Sequence, residues 1–141
     1  MRKRQWNTVS FLLTSFIALV WLANGLFCKI LNLAPRHEAI VARILGPEHS
    51  FLITKLIGIA EVCVCVWVLT GKARRLATIA QVIVVAVMNT LEFFLAPDLL
   101  MFGKGNALFA TIFICILIWN ERLHSDLRGK RLTANHKNAI L

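Results

Sequence analysis

Thr78, Gln81, Asn89 and Glu92 are four of the polar side chains in the run 76–96, which holds no basic residue. As a helix, that run is long enough to cross a hydrocarbon core of about 30 Å. At about 100° per residue the four fall within about 80° of one another, so they form one stripe on a mostly apolar rod. A carboxylate facing lipid costs several kcal/mol, and the stripe must therefore look into protein or trapped water. There it could bind a hydrogen-bonding ligand, carry a proton on Glu92, or tie helices together.

Other costly residues lie in neighbouring apolar runs: Asn24 in 9–28, Lys55 and Glu61 in 53–69, and Asn106 opening 103–119. With helix centres near residues 18, 61, 86 and 111 and about 1.5 Å per residue, Glu61 sits near the midplane. On the same scale Lys55 and Glu92 lie about 9 Å outward, Asn24 and Asn106 about 8 Å, and Asn89 about 4–5 Å. Asn24, Lys55, Glu61, Asn89, Glu92 and Asn106 are thus the candidate lining of a polar pocket in the outer half of a membrane bundle. The alternative reading of the layer is structural glue between helices, and the two are compatible. Equal depth on adjacent antiparallel helices further predicts a Lys55–Glu92 ion pair, since either charge alone would be uncompensated in lipid.

The elements that must hold this layer follow from composition. A chain that is 58% hydrophobic and 16% charged, with mean hydropathy +0.71, is too apolar for a soluble domain. Its 141 residues make one membrane domain, all-α, a four-helix transmembrane bundle with spans at about 9–28, 53–69, 76–96 and 103–119. The first run begins as a signal peptide does, but its apolar core is long, and cleavage after Ala23 would put Trp21 where a small residue is needed. A retained span is expected. Pro35 suits a first helical turn and Gly46-Pro47 a stop; between them Ile40, Val41, Ile44 and Leu45 make one apolar face. That pattern predicts a short interfacial helix between spans one and two. The basic segment 120–141 is expected to be a frayed or surface-bound tail.

The net charge of +9 belongs to topology and not to nucleic acid, because the basic residues flank apolar runs and form no face with stacking aromatics. The N-terminus, the turn 71–75 and the tail carry eleven Lys and Arg, against four (Lys29, Arg36, Arg43 and Lys104) on the opposite side. The bias predicts a multi-pass protein of the cell membrane with both termini cytoplasmic.

Intrinsic redox or metal chemistry is not expected. Cys63 and Cys65 are two apart and would diverge by about 160° on a helix, Cys115 lies elsewhere, and Cys28 has no evident partner. All four read as small buried hydrophobes. His37, His49, His124 and His136 fall in connections or the tail, which argues against haem held between spans. No phosphate-cradling loop, nucleophile elbow or paired catalytic carboxylates stand out.

The run Asn24-Gly25 with Lys29, the mid-span Glu61, the turn 71–75, Asn89 with Glu92, and Gly105-Asn106 together resemble the DoxX-like membrane proteins over about residues 21–119. The resemblance implies a small four-helix membrane protein, and some such proteins associate with quinone-linked oxidoreductase complexes. The expectation is a non-catalytic subunit of a membrane redox assembly, embedded in the lipid bilayer, with a quinone or lipid-like ligand in the outer-half pocket. The alternatives are a small proton-coupled transporter or channel, or an assembly factor for other membrane proteins. Small multidrug transporters are of similar size, but place their essential carboxylate in the first span, where this chain has none.

Overall fold

The computed structural model describes residues 2–139, apart from the side chains of 2–7, 137 and 138. The side chains of the basic cluster Arg2, Lys3 and Arg4 thus lie outside the described residues. All regular structure among the described residues is helical: α1 (Arg2–Leu22) continues as a π-helical segment (Ala23–Ile30), followed by α2 (Arg36–Leu45), α3 (Ser50–Thr70), α4 (Arg74–Leu95) and α5 (Asn106–Asn138). Four stretches are long and apolar enough to cross a membrane: Thr8–Ile30, Ser50–Thr70, Arg74–Leu95 and Gly103–His136. This is the expected four-helix bundle. The short α2 also forms where expected, with Ile40 and Val41 buried and Gly46 at a positive φ of 95° ending it.

The helices pack as two pairs. The first span, with its π-helical end, lies along α3, and α4 lies along α5, while α2 crosses over α3 and α4. Ile17, Ala18, Trp21, Cys65, Val68, Val85 and Leu117 form the shared core, and the Trp21 ring meets Phe113 edge-on at 6.4 Å. Around it, large apolar side chains such as Phe11, Phe94 and Leu108 point outward, as they must where lipid is the solvent.

Three sequence expectations change. The first span does not stop at 28 with Lys29 outside it; the wider π turn carries the helix to Ile30 and buries Lys29. Residues 120–138 are no frayed tail, since α5 runs unbroken for 33 residues, about 50 Å at 1.5 Å per residue. Leu117, Asn120 and Leu123, all buried, recur every three residues and keep one face of α5 against the bundle. Finally, of the four free cysteines only Cys65 is buried; Cys28 is half-buried and Cys63 and Cys115 are exposed, facing outward, where a thiol serves as a small apolar group.

Candidate functional site: a buried ion pair beneath the amphipathic helix

Two glycines set the geometry. Gly25 and Gly58 face each other so closely that a Cβ on Gly25 would lie 2.6 Å from the Gly58 carbonyl oxygen, and one on Gly58 would lie 2.8 Å from that of Gly25. Only glycine permits such an approach of two backbones, the device by which small residues bring membrane helices together. One turn beyond each glycine stands a charge, Lys29 on the π-helical segment and Glu61 on α3. The Lys29 ammonium donates to both carboxylate oxygens of Glu61, at 2.6 and 2.7 Å, and the two side chains are 4% and 6% exposed. Instead of snorkelling to the interface, Lys29 turns inward. The π geometry is itself notable, with the Leu31 amide reaching back five residues to the Leu26 carbonyl at 2.9 Å, because such turns concentrate at functional sites.

Titratable groups from two further elements lie near the pair. Glu92 on α4 feels the fields of Lys29, Arg36 and Glu61, and His37 on α2 feels those of Lys29 and Arg36. Lys29 and Arg36 against Glu61 and Glu92 make a layer that is formally neutral as a whole. Burial, and then the two nearby cations, pushes the pKa of His37 down to about 4, so its imidazole is uncharged at neutral pH. Two polar atoms of the connecting region remain buried without a hydrogen-bond partner among the described residues: His37 Nε2 and Asn32 Oδ1. The other end of the Asn32 carboxamide donates to Glu38 at 3.4 Å. α2 is clasped in place from its far end, where the Arg43 guanidinium donates twice to Asp98 at 3.2 Å. That contact holds the exposed Asp98 carboxyl below the usual carboxylate range.

The candidate residues are only partly brought together. Glu61 and Glu92 share this layer. Asn89 turns back on its own helix, donating to the Val85 carbonyl at 2.9 Å. Asn24 and Asn106 are half-buried and make no side-chain hydrogen bond among the described residues. The expected Lys55–Glu92 pair does not form. Lys55 instead donates to the Ile30 carbonyl and lies 4.8 Å from the centroid of Phe51, so it caps the end of the π-helical segment while Lys29 supplies the buried charge. Of the α4 stripe, Gln81 does face inward. It accepts from the Trp21 indole at 2.8 Å and donates to Ala77 O at 3.0 Å.

Sequence reasoning missed Lys29 as a partner, and it also missed a second polar cluster at the opposite end of the bundle. There Ser10 bonds His124, and the Asn120 amide donates to Thr14 at 3.2 Å. These contacts tie the start of the first span to the middle of α5. A groove of about 1060 Å³ opens beside this cluster. Among the described residues no group of His, Cys, Asp and Glu is disposed to hold a metal ion.

The model of the DoxX-like family matches residues 18–119, a stretch that includes the Gly25–Gly58 contact, the ion pair, α2 and Glu92. No curated protein and no solved structure matches the chain.

Proposed function

The chain belongs to the DoxX-like family and is an integral membrane protein, and we propose that it is a non-catalytic, ligand-binding subunit of a membrane redox assembly. Its ligand is a quinone or a similar lipid-soluble carbonyl compound, held in the outer half of the membrane beneath α2. The observation that carries this reading is the pair of unpartnered buried atoms, His37 Nε2 and Asn32 Oδ1, beside an ion pair that is already satisfied. A buried polar atom left unpaired costs on the order of 1–3 kcal/mol, and a ligand with carbonyl or hydroxyl oxygens relieves that cost. In its Nε2–H tautomer His37 donates to a quinone carbonyl, and Asn32 Oδ1 accepts from the hydroxyl of the reduced form. The formally neutral layer suits an uncharged ligand better than an ion. Glu61, Glu92, Asn24, Asn89 and Asn106 belong to the wall of this site, and Lys55 braces it from the π-helical end. The partner-subunit part of the proposal rests on the family resemblance, and the basic bias supports a cell-membrane orientation with both termini cytoplasmic.

Purification from native membranes in mild detergent, followed by native mass spectrometry, tests both parts. A quinone should co-purify with the wild-type chain and be lost from the double variant Asn32→Leu/His37→Phe. Absence of any quinone from the wild type, or equal retention by the variant, would reject the ligand. A second reading, proton-coupled transport, draws on the presence of two carboxylates, Glu61 and Glu92, within one electrostatic network. Proton uptake by proteoliposomes that disappears in Glu92→Gln would favour it instead.

A further inference from the structure

The groove beside the Ser10–His124 cluster has features that the ion-pair layer lacks. Its walls are the first half of α1, the turn between α3 and α4, and the far half of α5. Four arginines line it, Arg74 and Arg75 from the start of α4 and Arg128 and Arg131 from α5, against the single acid Glu121. None of the four has a carboxylate within ion-pair distance among the described residues, whose two ion pairs are Lys29–Glu61 and Arg43–Asp98. Glu121 is itself engaged, accepting from Ser125 at 2.8 Å. The first turn of α4 also has no side-chain cap, so its amides add to the positive field at that spot.

Position along the bilayer normal points to the occupant. A span takes about 20 residues, and counted from Asn106 that places Arg128 and Arg131 just past the hydrocarbon edge. Arg74 and Arg75 begin the third span and so stand at the same level. Immediately inside them the groove is apolar, through Phe11, Leu69, Leu76 and Ile79, each about half or more exposed. A cationic rim over an apolar wall complements an amphiphile with an anionic head, and a cavity of about 1060 Å³ is ample for a phosphate headgroup and the first part of its acyl chains.

We propose that this groove is a binding site for an anionic phospholipid, with the four arginines on its phosphate and Phe11, Leu69, Leu76 and Ile79 against its chains. Guanidinium groups recognise phosphate oxygens through paired N–H donors, and basic pockets between helices are the usual seat of such headgroups.

The test uses the full chain in mild detergent, titrated with dioleoyl phosphatidylglycerol or dioleoyl phosphatidylcholine and read by native mass spectrometry. Phosphatidylglycerol should be retained on the order of tenfold better than phosphatidylcholine. The variant Arg128→Gln/Arg131→Gln should lose most of that preference. A control, Arg122→Gln/Lys130→Gln, removes the same charge from exposed sites on the same helix stretch that do not line the groove. It should keep the preference. All four positions are exposed, and unchanged thermal unfolding confirms that each variant is folded. Equal retention of the two lipids overturns the proposal, as does equal loss in both variants, which would reflect overall charge alone. Displacement of the lipid by inorganic phosphate at comparable concentration would mark a site for the free anion and overturn the lipid assignment.

Discussion

Breaking the Lys29–Glu61 pair from one side should be among the most damaging single changes in this chain. The ammonium sits 2.6 and 2.7 Å from the two carboxylate oxygens, and both side chains are nearly sealed from solvent, so water screening offers little relief. Removing one partner of such a pair leaves an uncompensated buried charge and costs about 3–5 kcal/mol. Lys29→Met and Glu61→Met should each show that loss, on the order of 10 °C or more in a chain of this length. Replacing both with methionine exchanges the pair for apolar packing of similar volume, which is often close to neutral. The double variant should therefore be more stable than either single one. Thermal unfolding in detergent supplies the four corners of a double-mutant cycle. If the two losses simply add, the residues do not act as a pair and the reasoning fails. Lys55→Met with Glu92→Gln is the matched comparison. Since Lys55 bonds a backbone carbonyl of the first span, those two changes should add.

Gly58→Ala would place a Cβ 2.8 Å from the Gly25 carbonyl oxygen and 2.9 Å from Lys29 Cβ, and neither backbone can yield cheaply; a loss of about 1–3 kcal/mol in detergent stability is expected, and wild-type stability would show that the helices can part. His37, with its pKa down at about 4, is protonated more readily in the unfolded chain, so its contribution is fully present above about pH 6.5 and falls away as the pH drops toward 4. The effect is at most about 3 kcal/mol and less where water screens it; His37→Gln should flatten that part of the stability–pH curve, and an unchanged curve would refute it. A reporter fused after Leu141 should read cytoplasmic and one inserted between Gly46 and Ser50 external; both on the same side would reject the topology.

The architecture was legible because its signals are long or strongly patterned. Four runs of about seventeen to twenty-one mostly apolar residues fit the length of a span, and the apolar face of residues 40–45 between Pro35 and Gly46 announces a short helix. The site was less legible. Lys29 stands at the end of an apolar run, where a lysine ordinarily marks the boundary, and nothing in the sequence announces a π-helical turn that extends the span past it. A usable signal was present all the same: Gly25 precedes Lys29 by four residues and Gly58 precedes Glu61 by three, so on each helix a small residue and a charge share a face. Equal depth on adjacent antiparallel helices paired Lys55 with Glu92, whereas the direction each side chain takes about its helix axis decides which charges meet. The length of α5 was readable too, in Leu117, Asn120, Leu123, His124 and Leu127, but a tail rich in Arg and Lys draws the eye to its charge before its period.

The Gly25–Gly58 contact has a mechanical consequence. Where two helices touch backbone to backbone, their spacing cannot be adjusted by repacking side chains, so the first span and α3 behave as one stiff body. α4 and α5, packed along each other, form a second. Between the bodies α3 and α4 share little surface; the shared core, in which Val85 and Leu117 join Ile17, Ala18, Trp21, Cys65 and Val68, lies across the seam, and polar contacts cross it from Trp21 to Gln81 at mid-height and from Ser10 and Thr14 to α5 at one end. At the other end the clasp is Arg43 to Asp98. Gly71, at a φ of 66°, sits in the short turn that joins them. Opening along this seam would carry Glu61 on one body away from Glu92 on the other and so widen the polar layer.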